Sequence, residues 1–460
     1  MGVYTTIDPA TGERLAQYPE ISDAELKDLI ARSAAAYREW RATPLEKRRA
    51  VLARVAEIYQ ERADELARLL TLEMGKPIAQ AKGEVALVAS IYRYYADHAE
   101  EFMADEPLDI AGSGSAVVRT EPIGPLVGVM PWNYPYYQVA RFAAPNLALG
   151  NTIVLKHARN CPQSALAIER VFAEAGLPEG VYANAFVSSA QVAEAIADPR
   201  VQGVSLTGSE KAGSAVGEVA GRHMKKCVLE LGGSDPFIVL RDADIDAAAA
   251  AAAVGRFANG GQACTASKRF FVEEPIYDEF VQKFLAALAD WQPGDPADPG
   301  TKLGPLSSRS AVDDLDELVQ DALSNGARAL TGGERPDGDG AYYPPTVLVD
   351  VAPGMRAYYE ELFGPVAVVH RVGSLDAAIE AANDSPFGLA SSVFTADPEK
   401  ADRAASELET GMVWINSTSK SSPDLPFGGV KRSGFGRELA RFGFAEFANK
   451  KLVRNPGGKR

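Results

Sequence analysis

Leu126-Val127-Gly128-Val129-Met130 is an unbroken apolar run, and Thr152-Ile153-Val154-Leu155 is a second. Pro131-Trp132-Asn133 ends the first run, and residues 135–149 then space their apolar side chains for a helix. An apolar strand, a helix and another apolar strand make one βαβ unit of a parallel sheet with helices on both faces. Residues 181–187, 204–206 and 227–231 repeat the pattern with helical stretches between them. Sheets of this kind bind ligands beyond the carboxyl ends of their strands. The stretches to inspect are therefore Pro131-Trp132-Asn133, Lys156-His157-Ala158-Arg159, Thr207-Gly208-Ser209 and Glu230-Leu231-Gly232-Gly233.

A second α/β block starts after Pro236. It reads as a strand at 237–240, an Ala-rich helix and a bend at Phe257-Ala258-Asn259-Gly260-Gly261-Gln262-Ala263-Cys264-Thr265. A strand at 270–272, helices near 276–290 and 309–325, and strands near 343–348, 366–370, 389–394 and 412–416 follow. Upstream lies an extended N-terminal arm, then a helix over 22–42. Ser22 and Glu25 form its capping box, with Ile21 and Leu26 placed as a hydrophobic staple. Helices over 44–74 and on through Tyr95 continue the scaffold. Gly112-Ser113-Gly114-Ser115 interrupts a polar extended stretch and marks a projecting arm, and residues 444–454 read as a last strand.

With 460 residues, 46% hydrophobic and 24% charged, the chain suits a soluble enzyme of roughly two or three domains. Lys and Arg number 47 against 62 Asp and Glu, a balance of −15 that implies no domain-wide basic surface and argues against a nucleic-acid partner. Three cysteines, Cys161, Cys227 and Cys264, offer neither a disulfide framework nor zinc spacing. His98, His157, His223 and His370 are scattered, so no metal site is expected. The apolar run at 247–254 is too short to span a bilayer, and the N-terminus reads as no export signal. Met1-Gly2 with Thr6 matches a myristoylation pattern, but the segment reads more simply as the arm. The expectation is a cytoplasmic protein with no membrane partner.

A cysteine in apolar surroundings is usually an inert small hydrophobe, whereas Cys264 sits among Gly, Gln and Thr on a bend. Gly208-Ser209 opens a helix with Gly213 behind it, where backbone amides favour a phosphate, yet the pattern is not GxGxxG and also suits a glycine-eased helix start. Asn133 could satisfy backbone groups in a turn, and Glu230 could cap a loop. Together, however, a bent thiol, an amide donor, a carboxylate and a phosphate seat are the parts needed to attack a carbonyl, hold its oxyanion and activate water.

Pro131-Trp132-Asn133-Tyr134-Pro135, Leu229-Glu230-Leu231-Gly232-Gly233, Gly261-Gln262-Ala263-Cys264, Glu361-Leu362-Phe363-Gly364-Pro365 and Pro426-Phe427-Gly428-Gly429 occur in this order. In them the chain resembles the NAD(P)-dependent aldehyde dehydrogenases over essentially its whole length. The resemblance implies an α/β fold with a Rossmann-type cofactor domain (1–106 and 124–235) and an α/β catalytic domain (236–425). It further implies a small β oligomerisation arm (107–123 and 444–460), and a segment at 426–443 returning to the cofactor domain. Cys264 would be the nucleophile that forms a thiohemiacetal and then, after hydride leaves for nicotinamide, a thioester. Asn133 and the Cys264 N–H would hold the oxyanion, and Glu230 would activate water. The cofactor would meet Trp132, Lys156, Arg159, Gly208, Ser209, Gly213, Leu231, Glu361 and Phe363. A homodimer or homotetramer acting on a small-molecule aldehyde is implied.

Arg141 lies eight residues after Asn133, on the same general side of the helix. It suits a substrate that carries its own carboxylate, the alternative being a pair with a neighbouring acid. With Ser421 as a further donor, this resembles the succinate-semialdehyde dehydrogenase branch. Arg159, in place of the acid that often meets the ribose hydroxyls in NAD-preferring relatives, points to NADP, with NAD possible. Ala266 stands where some of that branch carry a second cysteine, so no local disulfide switch is expected. The competing readings are an NAD-preferring enzyme for another aldehyde, a CoA-acylating dehydrogenase, against which Glu230 speaks, and a silent relative, against which Cys264, Asn133 and Glu230 speak.

Overall fold

The structure, a computed structural model, describes residues 2–457; Met1 of the Met1-Gly2 pattern and residues 458–460 of the expected arm lie outside the described residues. Val3–Ile7 (β1) and Arg14–Pro19 (β2) pair as an antiparallel hairpin. Helices Asp23–Trp40 (α1), Leu45–Glu61 (α2), Ala63–Met74 (α3) and Ile78–Met103 (α4) follow. The Ser22/Glu25 capping box forms as read, and Ile21 packs beside Leu26 in the same apolar cluster. Glu106–Leu108 (β3) and Ser115–Pro122 (β4) then project as an arm.

The chain next alternates through Pro125–Val129 (β5), Pro135–Leu149 (α5), Thr152–Lys156 (β6), Pro162–Glu174 (α6), Tyr182–Asn184 (β7), Ser189–Ala197 (α7), Gly203–Thr207 (β8), Glu210–Arg222 (α8) and Lys226–Glu230 (β9). These strands lie parallel in the order β9-β8-β5-β6-β7. The strand order reverses at β5, where β6 lies on one side and β8 on the other. A crevice opens beyond the carboxyl ends of strands at such a switch. Helix α5, whose fifteen residues are all buried, fills the core between this sheet and α2 to α4.

The chain continues through Asp235–Val239 (β10), Ile245–Phe257 (α9), Ser267–Glu273 (β11), Tyr277–Ala287 (α10), Arg309–Ser324 (α11), Arg328–Thr331 (β12), Thr346–Val349 (β13), Arg356–Tyr359 (α12), Val366–Val372 (β14), Leu375–Asn383 (α13), Phe387–Gly388 (β15), Ala390–Phe394 (β16), Pro398–Glu407 (α14) and Met412–Ile415 (β17), whose strands other than β15 form a second sheet. Its order is β12-β13-β14-β11-β10-β16-β17, parallel except for β12. Val430–Lys431 (β18) pairs with β15, and Gly434–Phe435 (β19) returns to the first sheet, setting Gly434 opposite Glu230. Ala440–Glu446 (α15) leads into Ala448–Asn455 (β20), which pairs with β4 of the arm.

Four local readings are corrected. The helix expected over 44–74 breaks at Arg62 (φ −107, ψ 22), where the guanidinium ties Glu65 to Glu174 2.9 Å away; helical spacing of apolar residues survives such a bend. The third helix runs past Tyr95 to Met103, its buried Ala96 and Ala99 hidden in the sequence by the polar Asp97, His98, Glu100 and Glu101 around them. Residues 444–446 are helical rather than strand, since Phe444 and Phe447 are buried at one-turn spacing. The strand expected at 343–348 starts only at Thr346, because Pro344 and Pro345 have no N–H for a ladder.

Candidate active site

The thiol comes first, and a left-handed turn places it. After α9, Asn259, Gly260 and Gly261 all take positive φ (54, 65 and 70), and the chain doubles back before β11. A side chain at Gly261 would strike the Gly364 carbonyl and the Arg256 guanidinium. Arg256, fully buried, donates to the carbonyls of Gly261 (2.9 Å), Leu362 (3.2 Å) and Gly364, which locks the Glu361–Pro365 loop to the cysteine loop. Burial pushes the Cys264 thiol up to about 12, with Arg141 and Lys268 opposing.

Asn133, just past β5, donates its amide to the Gln262 carbonyl at 3.1 Å, and its own carbonyl accepts from Asn259 Nδ2 at 3.0 Å. Gln262 Nε2 donates to the Asn259 carbonyl at 3.0 Å, and its Oε1 accepts from the Ser307 N–H at 2.8 Å. This interlock ties Asn133 of the first sheet to the loop that carries the thiol.

Glu230 ends β9, 2% exposed, and among the described residues its carboxylate oxygens have no hydrogen-bond partner. Burial pushes its pKa well up; Arg141 opposes and Glu438 adds to the rise. The expected role of Arg141 needs correcting. Its side chain has no exposed surface and is ion-paired with Glu438, so the neighbouring-acid alternative holds. It also donates to Thr207 Oγ1 (3.2 Å) and Tyr137 Oη (3.4 Å) and lies 4.1 Å above the Phe427 ring. Tyr137 Oη in turn donates to Ser421 Oγ at 2.8 Å, so it is the tyrosine, not the arginine, that reaches the cavity.

Cys264 is shared by two cavities. One, of about 260 Å³, is lined by Trp132, Asn133, Gly208, Ser209, Glu230, Leu231, Glu361 and Phe363. Trp132 and Phe363 meet edge to face at 5.7 Å on its wall. Glu361 accepts from the Gly233 N–H at 3.1 Å, and a side chain at Gly232 would fall on its carboxylate, which gives the Gly-Gly pair its reason. The other cavity, of about 300 Å³, is lined by Tyr134, Tyr137, Ser419, Lys420, Ser421 and Phe427. A third, of about 430 Å³, shares Ser209 with the first and runs between α7 and α8 past Lys156 and Lys211.

That groove fits a dinucleotide by its donors: the amino end of α8, Lys156 and Lys211. Burial, reinforced by Arg159 and opposed by Glu20, pulls Lys156 down to about 8, and an anion in the groove would raise it again. Two expected cofactor residues, Arg159 and Gly213, line neither this groove nor the first cavity. Arg159 is paired with Glu20 and lies 5.7 Å from the Tyr4 ring, while buried Gly213 lets α8 close on Leu231. Sequence reasoning missed Tyr137, Lys211 and Lys420. Tyr137, four residues after Asn133 on a helix, was within reach of the periodicity; Lys420 lies on a loop with no periodicity to read.

The aldehyde dehydrogenase family model matches residues 2–453. The succinate-semialdehyde dehydrogenase (NADP+) of Deinococcus radiodurans is 55% identical over 451 residues, covering 98% of this chain and 94% of that protein. Succinate-semialdehyde dehydrogenase (NADP+) 1 of Mycobacterium tuberculosis is 46% identical over 450 residues, covering 97% and 98%. The crystal structure of succinic semialdehyde dehydrogenase from Streptococcus pyogenes, in complex with NADP+ as the cofactor, matches with a TM-score of 0.97 at 44% identity, covering 99% of this chain and all of that one.

Proposed function

The chain belongs to the aldehyde dehydrogenase family, and from that premise we propose that it oxidises a carboxylate-bearing aldehyde, succinic semialdehyde, to the dicarboxylate with NADP. The observation that carries this reading is the thiol of Cys264 on the shared wall of two cavities, one leading to the α8 end and the other to Ser421 and Lys420. The aldehyde enters from the second side, Cys264 attacks its carbonyl carbon, and the oxygen that gains charge falls to the Asn133 amide. Lys156, Lys211, Ser209 and Glu361 would hold NADP, which when bound would supply the hydride acceptor. Glu230 takes a proton from the water that releases the acid from Cys264, so no CoA is needed.

Lys420 lines the aldehyde side, exposed and without an ion pair among the described residues, and Ser421 has its hydroxyl proton free because its oxygen already accepts from Tyr137. A carboxylate at the far end of the substrate meets both. On the cofactor side, Lys156 and Lys211 favour the extra charge of a 2′-phosphate. In this reading residues 1–106 and 124–235 hold the cofactor, 236–425 hold the nucleophile, 426–443 return to the first unit, and the protein works in the cytoplasm. Leu108 and Leu452, 43% and 61% exposed on the arm, support a homodimer or homotetramer joined through it.

An aldehyde panel with both cofactors, followed by nicotinamide absorbance, tests the proposal. Succinic semialdehyde should exceed butanal by about a hundredfold in kcat/KM, and NADP should exceed NAD by about tenfold. Lys420→Ala should raise KM for succinic semialdehyde about tenfold and leave butanal unchanged. Equal preference for the two aldehydes in the parent enzyme removes the carboxylate assignment, and a preference for NAD removes the cofactor assignment.

A further inference from the structure

Lys268 is 1% exposed, four residues past the thiol, at the start of β11. Its ammonium donates to the carbonyls of Cys264 (2.9 Å), Ala263 (3.0 Å) and Ala266 (3.3 Å), and it lies 3.0 Å from Glu361 Oε1. A lysine that served only to fill space would not be buried at this cost, because an unpaired ammonium loses its hydration. Four oxygens share three protons, so the Glu361 arm can loosen while the carbonyls stay bound. The three carbonyls bracket the nucleophile, and the carboxylate lies in the cavity on its cofactor side. No other cation contacts both the cysteine loop's carbonyls and a carboxylate of that cavity among the described residues.

We propose that Lys268 is a positioning residue that holds the Cys264 loop and Glu361 as one unit, coupling the state of that carboxylate to the reactivity of the thiol. The inference rests on the reading of Cys264 as nucleophile and Glu361 as cofactor contact. Around the thiol, Arg141 and Lys268 favour the thiolate while Glu361 and Asp235 oppose it. Lys268 is the member of that set that also fixes the backbone on which the thiol is carried. Coupling of this kind is reciprocal, so one substitution should shift both thiol reactivity and cofactor affinity.

The test uses the full chain without turnover. Iodoacetamide alkylation of Cys264, assigned by peptide mapping, gives thiol reactivity from pH 7 to 9, and NADPH fluorescence titration gives affinity. Lys268→Met should slow alkylation about tenfold across that range and weaken NADPH about fivefold. Lys268→Arg should fall between parent and Lys268→Met in both readouts. A folded Lys268→Met with a lowered Tm but with alkylation and NADPH affinity within about twofold of the parent overturns the proposal, since a purely structural residue behaves that way. Should Lys268→Met not fold, Lys268→Gln, which keeps donors and loses charge, is judged by the same two criteria. Cys264→Ser separates the two readings: if it retains aldehyde oxidation, the functional assignment fails whatever Lys268 does.

Discussion

Glu230 carries the sharpest pH argument at the scale of one residue. Burial raises the Glu230 carboxyl well above the ordinary carboxylate range, so the fraction able to act as base grows as pH rises through that higher range. Release of the acid from Cys264 should therefore accelerate with pH. Glu230→Gln should remove that dependence and lower steady-state turnover by about 10² to 10⁴. One equivalent of NADPH per site should still form rapidly in the variant, because the first half of the reaction does not use this base. Rapid-mixing absorbance from pH 6 to 9 checks it, and loss of the burst together with turnover would assign Glu230 to the first half instead. The stability sign agrees: the folded state holds the Glu230 proton that the unfolded chain gives up, so stability from this group falls as pH rises. Glu230→Gln should accordingly show a higher Tm than the parent at pH 8, with less difference at pH 5.

Helix α5 shows what one element contributes and why part of it could not be read. Its amino end is set by Glu84, which accepts from the Tyr136 and Tyr137 N–H groups at 2.9 and 3.1 Å and is ion-paired with Lys76, and its middle by Arg141 against Glu438. Arg141→Ala would strand Glu438 in a dry site, a change that typically costs about 3–5 kcal/mol. The expected result is a marked fall in Tm, partly recovered in Arg141→Ala/Glu438→Gln, with KM for succinic semialdehyde and butanal moving together. A selective rise for succinic semialdehyde would return Arg141 to the substrate. The strands, α5 itself and the Cys264, Asn133 and Glu230 cluster were legible because apolar runs and strand-end polar residues are local patterns. Glu438 lies 297 positions from Arg141 and comes to it only when β19 returns to β9. Glu20, which removes Arg159 from the groove, is likewise distant in sequence. Charge pairing across such separations leaves no periodic trace, so neither arginine's acid could be named from the sequence.

At the scale of the molecule, the site is assembled where two parallel sheets face each other. Asn133 and Glu230 come from the ends of β5 and β9 on the first, while Cys264 and Glu361 come from loops of the second, and the β19 return ties the two together. Both sheets contribute to the cavity wall around Cys264, so the site is made by packing one sheet's strand ends against the other's loops. The arm is built differently. β20 and β4 pair over eight residues and β3 adds three more, leaving a three-stranded sheet with Leu108 and Leu452 turned outward. A small sheet with open edges and outward leucines is a template for another chain rather than a core. If the arm joins subunits, Leu108→Asp/Leu452→Asp places charge where apolar contact is needed and should convert an assembly of two or four chains to single chains in sedimentation velocity. Cysteine alkylation and NADPH binding should stay near parent values, because no cavity residue is touched. Thermal stability should fall and become independent of protein concentration, as expected when assembly no longer contributes. An unchanged sedimentation profile would show that the arm leucines do not hold the subunits together and would move the interface elsewhere on the surface.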